Sequence, residues 1–172
     1  MLMLEIVQGN KPVIAKVHGA AFAAGCQLVA SCDLAISSEE AMFATPGVNI
    51  GLFGSTPMVA ISRKVSRKRI MKMLLTGEHI DAKHAKEIGL INDYYPIEQL
   101  ESEVLKIAEK IASKSSLLIK IGKKAFYKQL EMPLNKAYQY TSKVMTENMM
   151  TMDAKEGISA FIEKRKPKWK NK

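Results

Sequence analysis

Cysteine, tryptophan and histidine are scarce in this chain: two Cys, one Trp and three His in 172 residues. Cys26 and Cys32 lie six residues apart in one segment. On a helix that spacing puts them on different faces, which excludes an internal disulfide and leaves free buried thiols as the expectation. With so few thiols, and with His18, His79 and His84 scattered, no metal-ligand cluster forms in the sequence. The apolar runs are too short to span a bilayer, so no membrane span is expected. Internal repeats and low-complexity linkers are also missing, which favours one continuous domain. The opening Met1-Leu-Met-Leu-Glu-Ile-Val has no basic n-region and no cleavage site. It is not Arg- and Ser-rich either, so it reads as the end of a helix and not as a targeting peptide.

Acidic residues fall well short of basic ones in the second part of the chain. Residues 1–60 carry Lys11 and Lys16 against four acids, whereas residues 61–172 carry 24 basic and 13 acidic residues. A basic surplus suits a polyanionic partner such as nucleic acid, an acidic membrane surface or a phosphorylated ligand. No RNA-binding signature accompanies it. Many of the lysines stand beside glutamates on helix faces, as in Lys106-x-x-Glu109-Lys110, which also fits a solvated face.

What remains is an ordinary globular composition, 47% hydrophobic and 25% charged, in a chain long enough to bury a core. Val13–Val17 is apolar and β-branched and predicts a buried strand. Ala20–Ser31 predicts a helix of small residues; Asp33–Ser37 and Ala41–Ala44 predict short strands around a Ser-Ser-Glu-Glu turn. Strand, helix and strand in so short a span predict α/β organisation with parallel pairing. Helices follow at Thr56–Val65 and at Arg67–Leu75, the latter stopped by Gly77. Asp81 is the expected cap of a helix over Ala82–Ile88, and Leu90–Tyr94 is an expected strand. From Ile97 the chain reads as helical: Ile97–Ser113 with apolar residues at 97, 100, 104, 107, 108 and 111, then Ser116–Leu130, Leu134–Met150 and Ala154–Lys164. Asp153 is the expected cap of the last helix, and Gly157 a weak point inside it. Met132, Met145, Met149, Met150 and Met152 read as packing filler or a subunit contact.

The densest motif is Gly19-Ala-Ala-Phe-Ala-Ala-Gly-Cys-Gln-Leu-Val-Ala-Ser-Cys-Asp33, which follows the strand Pro12–Val17. Small residues at a strand-to-helix junction let the backbone approach a ligand, and the bare amides of a helix start suit negative charge. The same residues also suit close packing against a neighbouring strand. Downstream stand Ala41-Met-Phe-Ala-Thr-Pro-Gly-Val-Asn-Ile-Gly-Leu52, Leu75-Thr-Gly77, Ala82-Lys-His-Ala-Lys-Glu-Ile-Gly-Leu90 and Phe161-Ile-Glu-Lys-Arg-Lys-Pro167. In that order and spacing the series resembles the crotonase (enoyl-CoA hydratase/isomerase) superfamily from about Asn10 to the C-terminus.

The resemblance implies an α/β fold: a ββα spiral core over residues 1–95, with its N-terminal turns missing, and a helical trimerisation region over 96–172. It implies an acyl-CoA thioester as substrate, coenzyme A entering only as part of that substrate, a homotrimer or hexamer, and a place in the mitochondrial matrix. Nucleic acid is not an expected partner. The family stabilises a thioester enolate with two backbone N–H groups. By residue matching one of them falls at Ala24, and the other belongs to a spiral turn ahead of this chain. The two glutamates used by the family's hydratases match Gln27 and Gly47. Gln27 can hydrogen-bond but takes up no proton, and Gly47 has no side chain. Losing a general acid or base costs about 10²–10⁴-fold each, so ordinary hydratase activity is not expected. Phe161 and Lys164 match the C-terminal motif that meets the adenine end of coenzyme A. The opposing reading buries Phe161 among helices and leaves Lys164–Lys168 a solvated tail.

Other polar residues near these motifs are Asp33, read as a strand-start residue; Asn49, Ser55 and Thr56, read as turn and cap chemistry; and His18, read as a hydrogen-bonded structural histidine. His79 and His84 are read as solvent-facing. The functional expectation is an acyl-CoA-binding protein of mitochondrial fatty-acid and lipid metabolism without ordinary hydratase activity. The alternatives are isomerase, decarboxylase or thioesterase chemistry on a CoA ester, and a non-enzymatic interaction or RNA-binding role for the basic helical half.

Overall fold

The structure, a computed structural model, describes residues 2–172. It contains two compact units: residues up to Val7 with Val13–Ala108, and Gln8–Pro12 with Glu109–Lys172.

In the first unit, after helix α1 (Leu2–Gln8), strands β1 (Ile14–Val17) and β2 (Ala20–Phe22) lead into helix α2 (Ala24–Ser31). Strands β3 (Leu34–Ser38) and β4 (Met42–Ala44) then repeat the pair. β3 lies parallel to β1, with Ile14 opposite Leu34, and β4 lies parallel to β2, with Phe22 opposite Ala44. Each new pair of strands thus lands beside the previous pair, the spiral ββα arrangement. A 3-10 helix (Pro46–Ile50), helices α3 (Pro57–Ile61) and α4 (Arg67–Thr76), strand β5 (Ile80–Asp81), helix α5 (Ala82–Glu87) and strand β6 (Asp93–Tyr95) follow. The two three-stranded sheets run β1-β3-β6, all parallel, and β2-β4-β5, with β5 antiparallel to β4. The core includes Cys26, Phe43, Ile61, Val65, Ile70, Leu74 and Ala85. Asp33 ties the entries of β1 and β3 together: its carboxylate accepts from Val13 N at 2.7 Å and its own N–H donates to Val13 O at 3.0 Å.

Three expected boundaries move, each for a physical reason. Ala20–Phe22 is a strand and not the first turn of a helix, because pairing with β4 overrides the helix preference of its alanines. The expected helix Thr56–Val65 stops at Ile61, after which Arg63 and Lys64 donate back three residues, to Ala60 and Ile61, in a tight turn. Leu90 and Ile91 are buried but outside the ladder, since both amides turn back to Ala85 O. Asn92 prepares the pairing instead, exchanging bonds with Ala35 through its side-chain oxygen and its own N–H, both at 2.8 Å, and β6 begins at Asp93.

Helix α6 (Ile97–Ala112) crosses the boundary at Ala108, and the second unit continues with α7 (Ser116–Leu130), α8 (Leu134–Met149) and α9 (Met152–Ile162). Thr151, not Asp153, caps α9, its hydroxyl accepting from Ala154 N. Asp153 is 2% exposed and turns toward the C-terminal tail. Its carboxylate accepts from the Ser115 hydroxyl and from the Lys170 and Asn171 amides. Glu156 accepts a two-nitrogen fork from Arg165, at 2.6 and 3.1 Å, and the Lys168 amide at 2.7 Å. The tail is completed by Trp169, whose indole N–H donates to Ser113 O at 2.8 Å and whose ring lies over Gly157, and by Asn171, which accepts from the Ser116 amide.

Candidate functional site

Strands β2 and β4 are parallel and in register, so they finish at the same edge of their sheet, at Phe22 and Ala44. The two segments matched to the family's catalytic positions leave from that edge. One turns through Ala23 into α2; the other turns through Thr45 and Pro46 to Gly47. The Ala23 N–H donates to Ala44 O at 2.9 Å and locks the two exits together.

Ala23 makes the turn with φ 47° and ψ −111°, a conformation that favours glycine. An alanine held there stores on the order of 1–3 kcal/mol of backbone strain. The result is a sharp corner after which the Ala24 N–H opens the helix. Ala24 is exposed, and as the first residue of α2 its amide has no partner inside the helix. Gln27, in the first turn, is 8% exposed, its backbone N–H donating to Ala23 O. Cys26 is fully buried, and desolvation pushes its thiol up to about 12 against a lesser, opposing hydrogen bond from the Ala44 backbone. That thiol is not a nucleophile at neutral pH. Cys26 and Cys32 are both buried and free.

Gly47 is closed in by its own turn. Leu52 N donates to Gly47 O at 2.9 Å, and a Cβ on Gly47 would stand 2.6 Å from Leu52 O. No side chain, a glutamate least of all, fits there unless the backbone of 47–52 moves. The position therefore lacks both the carboxylate and the room for one.

The remaining polar residues divide clearly. Asn49 packs against Gly77, the left-handed stop of α4, where its amide would stand about 3 Å from an added Cβ. Ser55 makes a long 3.4 Å bond within its own turn. Thr56 begins α3 without a side-chain cap. His18 is exposed between β1 and β2, which does not fit the structural role expected for it. His84 is exposed, as expected. His79 is exposed too, as expected, and its ring lies 4.5 Å, centroid to centroid, from Phe22. β5 pairs Ile80 with Phe43, so the residue before it, His79, stands beside the end of β4, at the edge from which α2 and the Gly47 turn depart. Sequence spacing hides this, because β5 is only two residues long and carries no periodicity. Thr45 was also missed: it is 1% exposed, and its hydroxyl has no hydrogen-bond partner among the described residues.

In the second unit Phe161 is 85% exposed and does not bury among the helices. Lys164 occupies the left-handed region with φ 53°. Its N–H donates to Phe161 O and the Arg165 N–H to Ala160 O, the paired bonds of a Schellman helix stop in a place usually given to glycine. Beyond it the chain is not a free solvated tail: Arg165, Lys168, Trp169 and Asn171 are all tied down as described. Arg165 and then the Lys168 amide hold the Glu156 carboxyl down at about 2. The Ser115 hydroxyl, ahead of the tail amides, likewise lowers Asp153.

Among the described residues no helix is long and apolar enough to cross a membrane, and no three His, Cys, Asp or Glu side chains are grouped to hold a metal ion.

Comparison with known proteins agrees with this geometry. The whole chain, residues 1–172, matches the family described as enoyl-CoA hydratase/isomerase. It is 53% identical over 168 residues to the mouse enoyl-CoA hydratase domain-containing protein 3, mitochondrial, covering 98% of this chain and 56% of that protein. The crystal structure of the human enoyl coenzyme A hydratase domain-containing protein 3 superposes with a TM-score of 0.96 at 51% identity, over 98% of this chain and 66% of that one. An enoyl-CoA hydratase structure from Mycobacterium smegmatis gives 0.96 at 48%, over 98% and 65%. The chain thus spans little more than half the length of the curated relatives it matches. With the ββα spiral, the helical second unit and a family match over residues 1–172 of this sequence, the chain belongs to the enoyl-CoA hydratase/isomerase family.

Proposed function

We propose that this chain is part of an acyl-CoA-binding protein that does not hydrate enoyl thioesters. The observation that carries the reading is Gly47, where a side chain would meet Leu52 O at 2.6 Å. Hydration needs one group to activate water and another to deliver a proton to the α-carbon. A buried glutamine at 27 and a closed-in glycine at 47 do neither. The Ala24 N–H, at the positive end of α2, is the donor suited to a thioester oxygen, and one such donor is worth roughly 10²–10³ in rate where charge develops on that oxygen. In this reading Phe161 packs against adenine and Lys164 meets phosphate. The mitochondrial names of the relatives support a place in the matrix and in fatty-acid or lipid metabolism. A homotrimer or hexamer would cover the exposed apolar residues of α7–α9, among them Leu134 and Ile162.

The protein at its natural length should bind acetoacetyl-CoA in calorimetry and leave crotonyl-CoA absorbance unchanged above background. Ordinary hydratase turnover would refute the proposal. Phe161→Ala should weaken binding at low and high salt alike, since packing is not screened. Lys164→Gly should weaken it chiefly at low salt. Glycine is the better replacement there, because it removes the charge while favouring the left-handed backbone that the helix stop requires.

A second reading, isomerase or thioesterase chemistry through an enolate-like state, is favoured by His79 at the shared strand edge. An imidazole is the side chain best suited to move protons near neutral pH. If this reading holds, His79→Gln lowers turnover of a CoA ester at unchanged acetoacetyl-CoA affinity; equal turnover in the variant removes it.

A further inference from the structure

A cavity of about 150 Å³ opens in the first unit between α4, β5 and α5. Its apolar wall includes Met73 and Ile88, 4% and 8% exposed, together with Ile80. Its polar lining comes from Arg69, Lys72, Glu78 and His84. We propose that this cavity binds a short aliphatic monocarboxylate of four to six carbons, its chain against Met73, Ile80 and Ile88 and its carboxylate on Arg69.

The charges select the ligand. Lys72 is paired with Glu78 at 3.0 Å, and His84 faces Glu87 at 3.5 Å. Arg69 has no carboxylate partner among the described residues. It stands three residues before Lys72 on α4, where like charges one turn apart repel. Arg69 also lies in the first turn of α4, which holds no acidic residue, so the positive end of the helix adds to that repulsion. The lining therefore has one uncompensated positive charge, which suits a monoanion better than a dianion. A guanidinium matches a carboxylate with two parallel hydrogen bonds. The volume sets the chain length: an apolar cavity of about 150 Å³ accepts a molecule of about benzene's size, six carbons. An uncharged alcohol of equal length would leave Arg69 unanswered, and inorganic phosphate would leave the apolar wall wet.

The test uses the whole chain with labelled Met and Ile methyl groups, titrated with hexanoate, hexanol and inorganic phosphate in turn. Hexanoate should saturate shifts of the Met73, Ile80 and Ile88 methyls with a dissociation constant at or below about 1 mM, a modest demand for eight non-hydrogen atoms. Hexanol and phosphate should bind about tenfold more weakly or worse, the worth of a charge-assisted hydrogen bond. Arg69→Gln should bring hexanoate down to the level of hexanol. Glu78→Gln, which removes the one negative charge from the lining, should tighten it. Both side chains are exposed, so neither change threatens the fold. No methyl shifts at about 10 mM hexanoate, a concentration well above the expected constant, would overturn the proposal. So would equal binding of hexanol, equal binding of phosphate, or hexanoate affinity unchanged in both variants.

Discussion

Among the buried side chains of Val13–Ala108 are Cys26, Ile36, Phe43, Ile61 and Ala85, all at zero exposure. From Glu109 onward, the buried residues among those described are three alanines (Ala125, Ala137 and Ala160), with Ser115 and Asp153. The first unit is held by apolar burial. The second has little of it and is tied instead by Asp153 and Glu156 gripping backbone amides and a guanidinium. Large apolar side chains stay uncovered in both, Ile50 at 77% and Leu52 at 62% in the first, Leu134 at 74% and Phe161 at 85% in the second. The difference teaches that apolar burial holds the sheets and the helices packed on them, whereas buried polar bonds hold the end of the chain.

The contrast is tested hardest at Phe43. Phe43→Ala should cost about 3–5 kcal/mol in urea unfolding, the usual loss for a fully buried aromatic. A loss under about 1 kcal/mol, that of an ordinary surface change, would mean that the core of the first unit is not what holds it. Next comes Gly47. Gly47→Ala should cost about 1–3 kcal/mol through overpacking against Leu52 O. For the same reason Gln27→Glu with Gly47→Glu should not create a hydratase. A double variant that is both stable and active would show that the turn opens freely.

The polar clamp of the second unit answers to acid, not to cavity formation. Both of its carboxyls are held low in the folded chain, Glu156 at about 2 against an ordinary 4.5. Groups lowered by folding contribute stability above their ordinary range and lose it as pH falls through the folded value. The tail should therefore release progressively below about pH 4.5, completing near the Glu156 value of about 2. Trp169, the only tryptophan, reports this by its fluorescence. In Arg165→Gln the change should move to higher pH; a transition that ignores the substitution would remove Glu156 from the clamp. The smallest effect is at Ala23. Ala23→Gly should gain about 0.5–1 kcal/mol, the relief of the positive φ less the entropy glycine loses on folding. Destabilisation would show that the methyl packs usefully.

Much of the first unit was legible in the sequence because its signals are local: the apolar β-branched run of β1, Gly77 after α4, Asp81 before α5. Its errors arose where partners decide. Ala20–Phe22 reads as helix until β4 is beside it, and Leu90 and Ile91 read as strand until their amides turn back to Ala85 O. Ala24, Gln27 and Gly47 were singled out by motif order; that their two segments leave from one sheet edge depends on the pairing of β2 with β4. The closing of Leu52 over Gly47 was not legible, since it depends on a turn whose residues carry no pattern. The tail clamp was illegible for the same reason. Asp153 in the first turn of a helix looks like a cap, and only the fold brings it to Ser115 and Lys170, 38 and 17 residues away along the chain.

Gly157 has a consequence that reaches beyond this chain. An interior helix glycine is a cost of about 1 kcal/mol relative to alanine, yet a Cβ there would stand 3.4 Å from two atoms of the Trp169 ring. A single methyl would just touch the indole; anything branched or longer would evict it, and the Ser113 hydrogen bond with it. The two positions should therefore vary together across evolution: where a descendant of this sequence places a bulky side chain at 157, the aromatic twelve residues later should have shrunk or gone.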